Sequence, residues 1–275
     1  MIQNTGLDRD TLDKYHTNPN ISRDCINTIS EKLEITTNDL VIEPGAGNGS
    51  FIEGIKTLTP HYYFYDIEPE HEEVIQQDYL TFDYSFLIGK YRKIHIIGNP
   101  PFGRQGTLAK KFIKKSLEFC NTLSFILPKS FKKQSYMKMF PLQFHLIHEC
   151  DLPKDSFVIN ETTTYDVPCV FQIWEKKNYM RMMSEILTPN NYRFVKKGEE
   201  HDISFRRVGF KAGEISVNTE DKSIQSHYFI KFDVDLSDEL FDKLSSIEYP
   251  CKDNTVGPKS ISKQELIKEF NIYTV

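Results

Sequence analysis

Asn99-Pro100-Pro101-Phe102 carries the most specific chemistry in this chain. It follows the apolar run Ile94–Gly98, so it ends what reads as a buried strand. Proline fixes φ and has no N–H, so the Asn99 amide oxygen and the Pro100 carbonyl form two acceptors on a stiff backbone. An aromatic ring comes next. Two acceptors beside a ring suit a planar group bearing –NH2, such as the exocyclic amine of adenine. A plain turn after a strand can have the same sequence; a glycine-rich segment upstream decides between the two.

That segment is Glu43-Pro44-Gly45-Ala46-Gly47-Asn48-Gly49-Ser50, followed by Phe51. It ends the strand Asp39–Glu43 and opens a helix at Ser50–Leu58. Its glycines permit a tight turn and close approach of backbone to a ligand. Strand, turn and helix are the setting of the dinucleotide fingerprint, but here the spacing is Gly-x-Gly-x-Gly and an acid precedes it. The Glu43 carboxylate would repel a pyrophosphate. It suits a ligand with a positive centre and an amino-acid end, such as S-adenosylmethionine. Asp66 ends the next strand, where a carboxylate can accept both hydroxyls of a ribose, and Ile67 adjoins it. Asp78 and Tyr79 follow the third strand, an acid and a ring able to hold the amine and face of an adenine. Either acid alone is an ordinary turn residue; in series with the glycine turn they read as ligand contacts.

The elements that would position these groups alternate. Strands are predicted at Asp39–Glu43, Tyr62–Asp66, Val74–Asp78, Ile94–Ile97, Leu123–Pro128, Phe144–Cys150 and Val167–Trp174. Helices are predicted at Ile21–Leu33, capped by Asn20 or Ser22, at Ser50–Leu58 and at Lys110–Cys120. Residues 1–20 read as irregular, and Asp151–Pro168 as a long polar connection placed to touch substrate or simply to link. Gly103–Gly106 reads as a loop or a lid. The pattern implies α/β architecture, a doubly wound, mostly parallel seven-stranded sheet. Beyond Lys177 short strands (Tyr192–Lys196, Ile203–Gly209, Ile215–Asn218, His227–Asp233) and two Ser-capped helices (Ser237–Ser246, Ser262–Phe270) imply a small C-terminal α+β module. The domains expected are 1–178 for catalysis and 179–275 for target recognition.

The five cysteines form no Cys-x-x-Cys pair, and the histidines show no ligand spacing, so neither a disulfide framework nor a metal site is indicated. There is no apolar run of transmembrane length and no signal-peptide pattern. Together these read as a soluble, intracellular, cytoplasmic protein. A net charge of −5 excludes a uniformly basic nucleic-acid binder. Lysines nevertheless bunch after the Asn99 turn (Lys110, Lys111, Lys114, Lys115, then Lys129, Lys132, Lys133, Lys138), with Arg206, Arg207 and Lys211 later. Each group is either a solvated face or part of a nucleic-acid footprint.

Glu43–Ser50, Asp66, Asp78 and Asn99–Phe102 as a set resemble the class I S-adenosylmethionine-dependent methyltransferases. Within them the set resembles the amino-methylating group with an Asn/Asp-Pro-Pro-Tyr/Phe motif. Leu12–Pro19, with Tyr15, Thr17 and Pro19, is similar to the N-terminal motif of DNA adenine-N6 methyltransferases, which covers the methionine end of the cofactor. The motif order is similar to the gamma arrangement, with target recognition C-terminal. The resemblance covers residues 12–175. It implies S-adenosylmethionine as cofactor, no metal, and methyl transfer to a flipped or single-stranded adenine, as in restriction-modification systems. Asn99, Pro100, Pro101 and Phe102 would be catalytic. Tyr15, Thr17, Pro19, Glu43–Gly49, Phe51, Asp66, Ile67, Asp78, Tyr79 and Asn99 would hold the cofactor.

The Tyr15–Pro19 segment favours DNA over RNA as partner; no membrane partner is expected, and no activating protein is indicated. The form Asn-Pro-Pro-Phe-Gly is also similar to ribosomal or small-RNA adenine methyltransferases. A protein-glutamine methyltransferase usually carries an N-terminal helical domain, for which the segment before the glycine turn is short. A silent binding module is disfavoured by the intact Glu43, Asp66, Asp78 and Asn99 set. Cytosine C5 chemistry needs a Pro-Cys nucleophile after the fourth strand, and Pro168-Cys169 and Pro250-Cys251 both lie elsewhere.

Overall fold

The structure, a computed structural model, describes residues 16–160 and 163–274. The chain forms two compact units, Met1–Met182 and Met183–Val275. The division falls beyond Asn178, the end expected from sequence, because Arg181 is tied to the first unit. Its guanidinium donates to the carbonyls of Met137, Phe140 and Phe144.

The first unit runs β1 (His16–Thr17), α1 (Pro19–Lys32), β2 (Leu40–Pro44), α2 (Ile52–Leu58), β3 (Tyr62–Asp66), β4 (Ile75–Gln76), β5 (Ile94–Gly98), α3 (Thr107–Leu117), β6 (Thr122–Pro128), α4 (Gln134–Met137), β7 (Phe144–Asp151), β8 (Phe157–Asn160), β9 (Thr163–Tyr165) and β10 (Cys169–Lys176). Seven strands form one sheet in the order β4-β3-β2-β5-β6-β10-β7. The five from β4 to β6 are parallel, and β10 runs antiparallel between β6 and β7. This is the α/β, mostly parallel sheet expected from the alternation of elements. All residues of β2, β5 and β6 are buried, as strands covered on both faces must be. The chain steps outward from β2 through β3 to β4, then crosses back to β5, so the topological switch lies between β2 and β5. In open α/β sheets the ligand crevice lies outside the carboxyl ends of the strands at this point.

Two readings of the sequence are corrected. Helix α1 is capped by Asn18, whose side chain accepts from the Asn20 amide at 3.0 Å, and not by Asn20 or Ser22. Pro19 occupies the first helical position, where a missing N–H costs nothing, so the cap falls one residue earlier. Ser22 turns inward instead and donates to the Ser50 carbonyl at 2.7 Å, tying α1 to the glycine turn. The second correction concerns the stretches read as irregular. His16–Thr17 pairs with Val158–Phe157, and β8 pairs with β9, making a small three-stranded sheet. This sheet leaves β7 and returns into β10, so it lies at the carboxyl edge of the large sheet.

In the second unit follow β11 (Tyr192–Val195), β12 (Ile203–Arg206), β13 (Ile215–Ser216), β14 (His227–Phe232), α5 (Asp238–Ser245) and α6 (Lys263–Phe270). The strands form an antiparallel sheet ordered β11-β14-β12-β13. Tyr192, Ile203, Phe205, Ile230 and Phe232 pack with Leu266, Ile267 and Phe270 of α6. Ser237 caps α5, and Ser262 with Glu265 forms a capping box on α6. Among the described residues no helix is long and apolar enough to cross a membrane.

Candidate active site

Two contacts bring the two principal motifs together at the carboxyl edge, and a third ties Asp66 to the glycine turn. Gly45 has φ +72°, and a Cβ added there would lie 3.3 Å from Pro101 Cδ and 3.9 Å from Pro100 Cα. The glycine turn therefore lies against the Asn99–Phe102 turn. Glu43, near the end of β2, faces Gly98 at the end of β5, where an added Cβ would lie 3.0 Å from Glu43 Cγ. The third contact comes from Asp66, at the end of β3. Its Oδ2 accepts the Gly47 amide at 2.8 Å, and its Oδ1 accepts the Glu68 amide at 2.8 Å. Each carboxylate oxygen keeps a second lone pair for a ligand hydroxyl.

Glu43 is the unusual group. It is 2% exposed, and among the described residues its Oε2 has no hydrogen-bond partner. Burial, and then the charge of Asp66, pushes its carboxyl well above the usual 4.5. A buried acceptor left unmade is costly, so the position is explained by a donor or cation that arrives there. A carboxyl whose folded-state pKa is raised retains its proton while the unfolded chain releases it, so it destabilises the fold progressively as pH rises above about 4.5. Glu43→Gln should therefore gain stability relative to the parent between pH 5 and pH 8 in urea unfolding, and weaken binding of a cationic ligand. A stability difference that does not change with pH would show that Glu43 is ionised in the folded protein.

Other positions expected from sequence are placed as follows. Asn99 is half-buried, with its Oδ1 shielded from solvent, and Pro100 is buried. Asp78 is half-buried and its Oδ1 accepts the Leu80 amide at 2.9 Å. Ile67 is 56% exposed beside Asp66. Pro44 and Ala46 are buried, Asn48 is exposed, and Gly49 is half-buried. Thr17 is buried in β1, and Pro19 is an exposed helix starter. Tyr15 lies outside the described residues.

Three aromatic assignments are corrected. Tyr79 is 2% exposed, its hydroxyl lies 2.8 Å from Ser116 Oγ, and its ring stacks on Phe112, so it offers no face to an adenine. Phe51 is 1% exposed and belongs to the core under α2. Phe102 is buried edge-on against Phe157, and its carbonyl accepts from Leu108 and Ala109 at the start of α3. Its ring is thus part of a wall, and its backbone anchors the motif to the helix.

The sequence reading missed His16, Glu70 and Phe157. His16 Nε2 lies 3.2 Å from Glu70 Oε2, and the Glu70 amide donates to the Gly47 carbonyl at 3.1 Å. A Cβ on Gly47 would lie 3.7 Å from His16 Nδ1. β1 is therefore set over the glycine turn. The apolar Phe157-Val158 pair inside a polar stretch was the overlooked signal for β8.

Much of the lysine cluster is used within the fold. Lys129 and Lys132 pair with Asp151 at 3.0 and 2.8 Å, and Lys110 lies over the Tyr136 ring at 4.6 Å. Cys169 is buried and its thiol is pushed up by burial, which removes it as a nucleophile. Among the described residues no group of three His, Cys, Asp or Glu side chains is arranged to hold a metal ion.

No protein-family model matches the chain, and no curated protein does. Solved structures resemble part of the chain in outline. A candidate RNA methyltransferase from Pyrococcus horikoshii is 17% identical, covering 64% of this chain and 94% of its own, with a TM-score of 0.47. The 23S rRNA methyltransferase ErmE is 14% identical over 61% and 71% of the two chains, with a TM-score of 0.45. A type I restriction-modification methyltransferase subunit from Streptococcus thermophilus is 12% identical over 60% and 45%, with a TM-score of 0.44. Likeness at this level concerns chain path alone. The fold rests on the sheet order and the candidate site on the three contacts above.

Proposed function

We propose that the chain is an S-adenosylmethionine-dependent methyltransferase that modifies the exocyclic N6 amine of adenine in DNA. The contact of Gly45 with Pro100 and Pro101 carries this reading, because it sets the cofactor turn beside the acceptor turn. The cofactor fits the residues present: a positive centre at Glu43 would displace the proton that burial keeps there and meet a buried carboxylate oxygen, and Asp66 retains lone pairs for ribose hydroxyls. When bound, S-adenosylmethionine supplies an electrophilic methyl group on a sulfonium. The adenine amine is a poor nucleophile, since its lone pair is delocalised into the ring. The Pro100 carbonyl and Asn99 Oδ1 would accept its two protons and favour a tetrahedral nitrogen. Because Oδ1 is shielded, the Asn99 amide would turn about χ2 to do so. Positioning and fixed dipoles provide the rate in such a site. The adenine must leave its stack to reach this edge. The first unit would then be catalytic and the second would engage the nucleic acid.

The test is to incubate the full chain with radiolabelled donor and, separately, duplex DNA, single-stranded DNA, RNA and a glutamine-containing peptide. Products are then digested to nucleosides or residues. Label on N6-methyldeoxyadenosine is the expected result. Label on RNA adenosine or on peptide would replace the substrate, and label on cytosine would overturn the chemistry.

A further inference from the structure

Phe194 of β11 and Tyr228 of β14 meet with ring centroids 5.5 Å apart at 77°. Both are only half-buried. Lys263, the first residue of α6, holds its Nζ 4.4 Å from the Phe194 ring and 5.5 Å from the Tyr228 ring. Arg207 places its guanidinium 5.4 Å from Tyr228. These rings open into a groove of about 350 Å³ whose lining includes Lys196, Lys197 and His227. Among the described residues no carboxylate side chain lines it. Glu199 accepts the Lys196 amide beside it at 3.0 Å, but with three lysines and no acid in its lining the groove is locally positive in a chain of net charge −5. Lys197 is fixed there, its Nζ donating to the Glu220 and Lys222 carbonyls.

We propose that this groove of the second unit binds a single strand of DNA, with a base against the Phe194–Tyr228 pair and flanking phosphates on Lys196, Lys197 and Lys263. The inference deepens the function proposed above and rests on it for the identity of the substrate. Charge complementarity selects a polyanion, and the rings add a requirement for flat, π-faced groups between its charges. A nucleic-acid strand meets both requirements. Within a duplex the base faces are stacked on one another and only the edges are offered, so a ring pair of this kind suits unpaired bases. Lys263 is poised to leave the ring faces for a phosphate as a base takes its place.

The test measures binding of a fluorescein-labelled single-stranded DNA oligonucleotide to the full chain by anisotropy across a salt series. Lys196→Gln with Lys263→Gln should weaken binding about tenfold at low salt. It should also reduce the slope of log Kd against log salt by about 1.4, roughly 0.7 for each phosphate left without its lysine. Tyr228→Leu should weaken binding to a similar degree and leave the slope unchanged, because stacking releases no counterions. Unchanged thermal unfolding and unchanged S-adenosylhomocysteine binding confirm that each variant is folded. Parental affinity in the lysine variant, tighter binding of the matching RNA, or equal competition by polyglutamate would each overturn the proposal. If the groove variants lose DNA but the parent transfers no methyl group, the groove stands and the catalytic reading fails. If the parent methylates DNA and the variants bind it normally, the reverse holds.

Discussion

Asn99→Ala should reduce single-turnover methyl transfer by a factor of about 10² to 10³, the cost of removing one preorganised group from a reacting centre. S-adenosylhomocysteine binding, measured by calorimetry, should stay within about threefold of the parent, since a group used only toward the transition state leaves ground-state binding intact. The split matters because Asn99 lies at the junction of the two motifs: its neighbours Pro100 and Pro101 touch Gly45, so a merely structural defect would collapse the cofactor turn as well. Asn99→Asp separates the roles further. It retains an acceptor oxygen at the same place, so it should keep more activity than the alanine variant. Normal turnover by Asn99→Ala would end the assignment of this edge as the active site.

The sequence exposed the parallel sheet because β2, β5 and β6 are buried on both faces and therefore read as mostly apolar runs, broken only by Glu43, His95, Thr122 and Ser124, beside glycine and proline punctuation. Glu43, Asp66 and Asn99 were legible for a related reason: each sits at or next to a strand end, where the chain leaves the core and an odd residue type stands out. Tyr79 and Phe51 were misjudged because aromatic residues near a motif can serve the core or a ligand, and only packing decides. Tyr79 hydrogen-bonds Ser116 on a helix far along the chain. The β1–β8 pairing was hidden for the same physical reason. His16 and Val158 are partners separated in sequence by most of the first unit, and no local periodicity announces a two-residue strand.

Asp39→Asn should destabilise the first unit by about 3 kcal/mol, because several donors converge on one carboxylate that has no exposed surface. Oδ1 accepts from Arg92 Nε at 2.8 Å and from the Lys93 amide at 3.0 Å. Oδ2 accepts from Arg92 Nη2 at 2.6 Å, from the Thr36 amide at 2.7 Å and from Thr36 Oγ1 at 3.1 Å. An amide would turn a second donor toward some of these groups. The network joins the starts of β2 and β5 at the amino edge, opposite the candidate site, so stability should fall while residual folded protein keeps its affinity for S-adenosylhomocysteine.

Two pH windows follow from the same cluster. Burial alone would raise the Asp39 carboxyl, but Arg92, Thr36 and His95 bring it down from 3.8 to about 2. A depressed carboxyl stabilises the fold above its unfolded pKa, and that stability is lost as pH falls from about 4 toward 2. His95, buried with its Nδ1 2.7 Å from Thr122 Oγ1, is pushed down from 6.5 to about 4, chiefly by desolvation against the partial pull of Asp39. The unfolded chain then takes up a proton that the folded chain refuses, so stability falls as pH drops from about 6.5 to 4. Equilibrium urea unfolding of a Glu43→Gln background, which lacks the opposite slope of that carboxyl, should lose stability in both windows. His95→Gln should flatten the upper window and Asp39→Asn the lower. A difference in stability between the parent and His95→Gln that is constant from pH 7 to pH 4.5 would show that His95 is charged in the fold, paired with Asp39 across their 3.6 Å separation.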